Sequence, residues 1–157
     1  MAGVTRRLLD HVDEDPAQAE RRALAPAGRH GQGLEPVLGQ ATLDRLSELA
    51  PASRFTVDRF RPNVVVDGVD AFAENDWGSG AKLEIGGVLA AGLIPTMRCI
   101  MTTLAQADLP RDNGVLRAIA AHNRIEITGM GTWSCVGAYA TVTTPGRIAV
   151  GDDVTVS

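Results

Sequence analysis

The sequence has only two cysteines, Cys99 and Cys135, few aromatic side chains, and no apolar run long enough to span a bilayer. Two thiols without paired spacing argue against a zinc ribbon, and in a reducing compartment they are expected to be free. Met1 to Asp10 lacks the apolar core of a signal peptide, so a cytoplasmic protein without membrane contact is the expectation. A large excess of one charge is missing too. A net charge of -4 with dispersed basic residues excludes a general nucleic-acid footprint and a polybasic membrane contact. A small anionic ligand held by a few local arginines stays open. What is present is 157 residues with 45% hydrophobic content, which suits one domain around a single core.

Met1 to Pro36 is expected to form an N-terminal extension, an arm or irregular lead-in. It carries charge clusters at Asp13 to Asp15 and Glu20 to Arg22, and a Gly/Ala-rich stretch in which His30 reads as a solvated loop residue. From Val37 to Ser157 the pattern is that of a domain. Thr42, Leu43, Asp44, Leu46 and Leu49 predict a helix capped by Thr42, with Asp44 in its first turn and Pro51 as its stop. Such a helix start could also hold a phosphate. A second helix is predicted over Asp112 to Asn123, capped by Asp112 or Asn113, with His122 at its C-terminal end as a dipole partner.

The remainder reads as short strands. Val64 to Val66 are β-branched and bounded by Pro62 and Asp67-Gly68. Ala81 to Ile85 and Val88 to Ile94 form a hairpin that follows the Gly78-Ser79-Gly80 turn and delivers the chain to Cys99. Val136 to Val142 alternate, and the alternation is expected to continue through Ile148, Val150, Val154 and Val156. A mainly β fold results, and a closed or nearly closed barrel with a few short helices buries such strands without exposed edges.

Two stretches carry chemistry. In Ile94 to Thr103, Arg98 precedes Cys99, so the residues fit either a half-buried strand thiol or a thiol whose thiolate is favoured by a neighbouring cation. Thr102 and Thr103 add hydroxyls just beyond. In Arg59 to Asp67, Arg61 and Asn63 stand two apart at the mouth of a strand. They are either a surface arginine beside a turn asparagine or a fork of donors and an amide pointing to one side.

The run Arg59-Phe60-Arg61-Pro62-Asn63-Val64-Val65-Val66, then Glu74 to Trp77, Ile85-Gly86, Arg98-Cys99 with Thr102-Thr103, Gly137-Ala138-Tyr139 and Ile148 to Asp152 resembles, in order, the pattern of MOSC domains. The resemblance covers Val37 to the C-terminus and implies a MOSC-type β-barrel that binds the molybdenum cofactor, molybdopterin. It also implies that Cys99 ligates molybdenum, and that Arg61, Asn63 and Arg98 contact the pterin phosphate and dithiolene region. Thr42 lies roughly where relatives bind the cofactor phosphate. Met97 stands where the family is more polar, and Cys135 lies outside the ligand motif as a buried structural thiol beside Trp133.

By that resemblance the chain is an oxidoreductase acting on a small-molecule substrate, an N-hydroxylated compound. Cys99-bound molybdenum would be re-reduced by external electron-transfer proteins. Two alternatives share the barrel: a carrier holding sulfur as a persulfide on Cys99, and a cofactor-free module with an inert thiol.

Overall fold

The computed structural model describes residues 6–8, 34–78 and 80–157. Most of the lead-in expected for Met1 to Pro36, including both charge clusters and His30, lies outside the described residues, as does Ser79 of the predicted turn. Eight strands are described: β1 Arg6–Leu8, β2 Leu34–Gly39, β3 Val64–Asp67, β4 Lys82–Ile85, β5 Val88–Met97, β6 Arg124–Ile127, β7 Gly131–Thr144 and β8 Asp153–Val156. Three short helices accompany them, α1 Gln40–Leu49, α2 Val57–Phe60 and α3 Asn113–His122, with 3-10 turns at Ala73–Asn75 and Ile100–Thr103. Among the described residues no helix is long and apolar enough to cross a membrane.

The strands run in the order β2-β3-β1-β8-β4-β5-β7-β6, and an additional pairing of β2 with β7 closes the ring, leaving β6 attached outside it. The predicted barrel is thus the fold. β1 belongs to that ring: Arg7 pairs with Asp67 of β3 and with Asp153 of β8. β2 and β3 run parallel, while the other pairings are antiparallel.

Strand alternation feeds two cores. Val37, Val64, Val66, Leu83, Ile85, Leu93, Ala138, Ala140 and Val154 fill the barrel. Leu38, Val65 and Val136 point the other way and are covered by Leu43 and Leu46 of α1, Phe60 of α2, and Val115 and Ile119 of α3. Each fully buried Val, Leu or Ile contributes about 1.5–3 kcal/mol by leaving water. This explains why Val64 to Val66 are apolar without a break: the strand is buried on both faces.

β7 serves both cores because its phase changes between Cys135 and Ala138. Pro95 pairs with Ala138 but Met97 with Cys135, so one extra residue lies in β7 between these positions. Gly137 has φ +78, and a Cβ there would meet the Val37 carbonyl oxygen at 2.5 Å. Only glycine accepts both the left-handed conformation and the close approach, which is how a β-bulge is made.

Two local expectations need correction. α1 starts at Gln40 with Gly39 as its cap, so Thr42 sits inside the first turn and Asp44 beyond it. The reason is remote in sequence: the Glu74 carboxylate accepts the Gly39 N–H at 2.6 Å, placing at the helix start the negative charge its own first turn lacks. Ile148 and Val150 are not in a strand; Asp152 accepts the Ala149 N–H at 2.8 Å and holds a loop until β8 begins at Asp153. β1, β6 and α2 lie outside the elements expected from the sequence, and β5 runs on to Met97 past the expected end at Ile94. The 82–97 hairpin is present, and α3 is capped by Asp112, whose Oδ1 accepts the Gly114 N–H at 2.8 Å with His122 in the last turn.

Candidate functional site

β5 delivers the chain to the rim of the barrel. The Arg98 N–H still donates to the Ser134 carbonyl at 2.8 Å, extending the ladder one step past Met97, and the backbone then turns into the 3-10 segment Ile100–Thr103. Cys99 sits at that turn with an exposed side chain. Its carbonyl accepts from the Thr102 N–H at 3.2 Å and the Thr102 hydroxyl at 3.0 Å, while the Thr103 hydroxyl donates to the Ile100 carbonyl at 2.7 Å. Both threonine hydroxyls are therefore committed to forming the turn that presents the thiol.

Arg98 points inward. Its Nε and Nη2 both donate to the Val136 carbonyl, at 2.9 and 2.7 Å, and Nη1 donates to the Phe60 carbonyl at 3.3 Å. The guanidinium lies 5.3 Å from the centre of the Phe60 ring, a cation–π arrangement. The bulge at Gly137 explains the acceptor, since a carbonyl beside an extra residue is released from regular pairing. Burial pulls the Arg98 pKa down to about 10, opposed by Tyr139, Cys135, Cys99 and Glu74, so the group remains a cation at neutral pH.

Arg59, which sequence reasoning left without a role, fixes the other side of the turn. It is 2% exposed, and its guanidinium donates to the carbonyls of Arg54, Thr102, Leu104 and Pro110 at 3.0–3.4 Å. The signal was a charged residue between Val57 and Phe60, where helical spacing predicts burial. Glu74 is the second such residue. It is buried, with Oε1 on the Gly39 N–H and Oε2 accepting from the Thr42 hydroxyl at 2.8 Å. Burial raises its pKa, against the hydrogen bonds from Gly39 and Thr42 and the charge of Arg98.

Thr42 itself is 1% exposed, and its hydroxyl also accepts the Phe72 N–H at 2.8 Å. It therefore reaches the site only through Glu74. Arg61 and Asn63 are exposed. They follow Phe60, whose carbonyl accepts from Arg98, so the main chain just before the Arg-Pro-Asn segment is tied to the Arg98 guanidinium. Cys135 is buried, its Sγ 3.6 Å from the Trp133 carbonyl, and burial pushes its thiol up in pKa.

Arg61 has φ 51, ψ 50, a left-handed conformation costing a non-glycine residue about 1 kcal/mol. Arg61→Gly is therefore expected to hold or raise stability, by up to about 1 kcal/mol, in a urea titration. A loss of stability would mean that the side chain is a packing element rather than a ligand-facing one.

An exposed thiol beside a half-buried, backbone-clamped guanidinium, in a barrel closed through β2 and β7, is the candidate site. Residues 36–155 match the family model described as the MOSC domain, and the chain belongs to that family. It is 31% identical over 128 residues to mitochondrial amidoxime-reducing component 1 of Homo sapiens, covering 75% of this chain and 35% of that protein. It is 29% identical over 122 residues to the Mus musculus counterpart, with the same coverage. The chain thus spans about a third of these relatives. Among solved structures, YiiM from Escherichia coli superposes with a TM-score of 0.55 at 14% identity, covering 100% of this chain and 70% of that one. The YuaD protein from Bacillus subtilis gives 0.53 at 17% identity, covering 78% and 62%. Both share the fold.

Proposed function

We propose that this MOSC protein binds the molybdenum cofactor through Cys99 and reduces N-hydroxylated compounds. The observation that carries this reading is the exposed Cys99 thiol presented one residue after the clamped Arg98 cation. The donor set suits the group. A thiolate is a soft ligand for such a metal, and arginine forks with an amide match phosphate and pterin edges. Similarity to amidoxime-reducing components supports the substrate class.

When bound, the cofactor supplies a two-electron centre for cleaving an N–O bond. The overall change is R–NHOH plus two electrons and two protons giving R–NH2 and water, with the electrons coming from a separate electron-transfer protein. The chain's own residues bind and orient. Cys99 is the metal ligand, Arg61 and Asn63 offer exposed donors to the phosphate and pterin, and Arg98 supplies fixed positive charge behind the thiol. Arg59 and the Thr102 and Thr103 hydroxyls keep the thiol presented. Glu74 with Thr42 holds the start of α1.

The test is metal content. Protein produced in a host that makes the cofactor is expected to carry molybdenum approaching one atom per chain. Exposure of Cys99 also suits sulfur carriage as a persulfide. Labile sulfur on Cys99 without molybdenum would favour that carrier and overturn the oxidoreductase, and neither molybdenum nor labile sulfur would leave a cofactor-free barrel.

A further inference from the structure

β6 lies outside the ring and consists of Arg124, Ile125, Glu126 and Ile127. Among the described residues it pairs with β7 alone, so its far edge is open. A single bond fixes which main-chain groups line that edge. The Asn123 carbonyl accepts the Cys135 N–H at 3.1 Å and therefore points at β7. Main-chain groups alternate sides along an antiparallel strand, so those of Ile125 and Ile127 also turn to β7, while the N–H and C=O of Arg124 and Glu126 turn to the open edge.

Open edges are commonly blunted by lysines, proline or a bulge, and β6 has none of these. Charges of one sign would repel a second copy of the strand. Here the two residues whose main chain faces outward carry opposite charges, and both side chains are exposed. A copy related by a two-fold axis can then pair antiparallel, with Arg124 against Glu126 of the second copy and Glu126 against its Arg124. In that register every outward N–H meets a carbonyl and both cross-strand pairs are opposite in sign. Sliding by two residues instead sets Arg124 against Arg124, or Glu126 against Glu126. The other face of the strand favours the same register. Ile125 is half-buried and stands opposite Trp133, which is 44% exposed. A two-fold axis at Ile125 makes one apolar row across the joined sheet, from Trp133 through Ile125 of each copy to the second Trp133. The indole N–H already donates to the Met130 carbonyl at 2.7 Å, so covering the ring strands no donor.

We propose that β6 is a homotypic docking edge, pairing antiparallel with β6 of a second copy of this chain about a two-fold axis at Ile125. The contact is short, so the dimer is weak and forms at high chain concentration. It is independent of the reductase reading, since no cofactor enters the contact.

Two measurements test it. Sedimentation of the full chain, with reductant present to keep the exposed Cys99 from cross-linking, is expected to show dimer at about 1 mM, where an association with a millimolar dissociation constant is populated. Arg124→Glu sets two like-charged pairs in the edge and is expected to weaken the dimer at least about fivefold. Combining Arg124→Glu with Glu126→Arg rebuilds opposite signs, and the dissociation constant is expected to return to within about threefold of the wild type. Amide exchange reads the main-chain part. In the wild-type chain the N–H groups of Arg124 and Glu126 are expected to exchange more slowly at about 1 mM than at about 10 μM. A chain that stays monomeric at the higher concentration overturns the proposal, as does a dimer that Arg124→Glu leaves unchanged or that the charge swap fails to restore. Unslowed exchange at those two amides overturns it in the wild type alone, whatever the variants do.

Discussion

Replacing Cys99 by serine is expected to remove molybdenum and reductase activity by at least a hundredfold while the barrel melts as before. The two effects separate because the structural duty at this position belongs to the backbone. The Cys99 carbonyl, not its sulfur, accepts the Thr102 N–H and hydroxyl, and the exposed side chain fills no core. Substitution at an exposed site of this kind usually changes stability by less than about 0.5 kcal/mol. A neutral hydroxyl, by contrast, is a harder and far less acidic donor than a thiol and cannot replace a thiolate on a soft metal. Loss of a partner behind a metal ligand already costs about 10–100-fold, and loss of the protein's own ligand should cost more. Metal analysis, turnover of an amidoxime and a melting curve on one preparation decide the matter. Full activity in Cys99→Ser would remove Cys99 as the metal ligand.

The second large effect is expected at Glu74, and on stability. Glu74→Ala would strand the Gly39 N–H and the Thr42 hydroxyl, both bonded to the carboxylate in a buried setting. An orphaned buried polar group costs about 1–3 kcal/mol, so the pair and the vacated volume together should cost about 3–5 kcal/mol, a large part of a domain's total. Glu74→Gln isolates the charge. Burial raises the native pKa of Glu74 above its ordinary 4.5. Folding therefore takes up a proton between 4.5 and the native value, which makes the slope of unfolding free energy with pH negative in that window. The contribution of Glu74 is greatest below pH 4.5 and is lost as pH rises through the native pKa. Glu74→Gln should abolish this fall, which urea midpoints measured from pH 4 to 8 would show. A wild type and variant with parallel profiles would mean that Glu74 stays at its ordinary pKa.

Local chemistry made much of this molecule legible. Alternation in Ala81 to Ile85 identified the first strand of the hairpin, a β-branched run between turn signals identified β3, helical spacing with a cap at Asp112 or Asn113 identified α3, and the spacing of short strands implied closure into a barrel. The stretches Arg59 to Asp67 and Ile94 to Thr103 are joined by the bond from Arg98 to the Phe60 carbonyl. What stayed hidden depended on partners far along the chain. The start of α1 is set by a carboxylate 35 residues downstream, and a helix read only from its own residues moves to the nearest hydroxyl, Thr42. Arg59 holds carbonyls up to 51 residues away, and main-chain acceptors leave no signature in side-chain identity. The loop 145–152 kept an apolar alternation but not a ladder, because Asp152 takes the Ala149 N–H locally.

The inserted Gly137 also governs how this site can change over time. The oxygen that grips Arg98 is a main-chain atom, so the side chain at Val136 can vary within the limits of the core without moving the cation. Residue number cannot vary so freely: deleting one position from that stretch of β7 would swap its inward and outward faces and return the carbonyl to its neighbouring strand. The placement of positive charge behind the thiol is thus encoded by counting rather than by chemistry, which makes a one-residue deletion there more damaging than most substitutions.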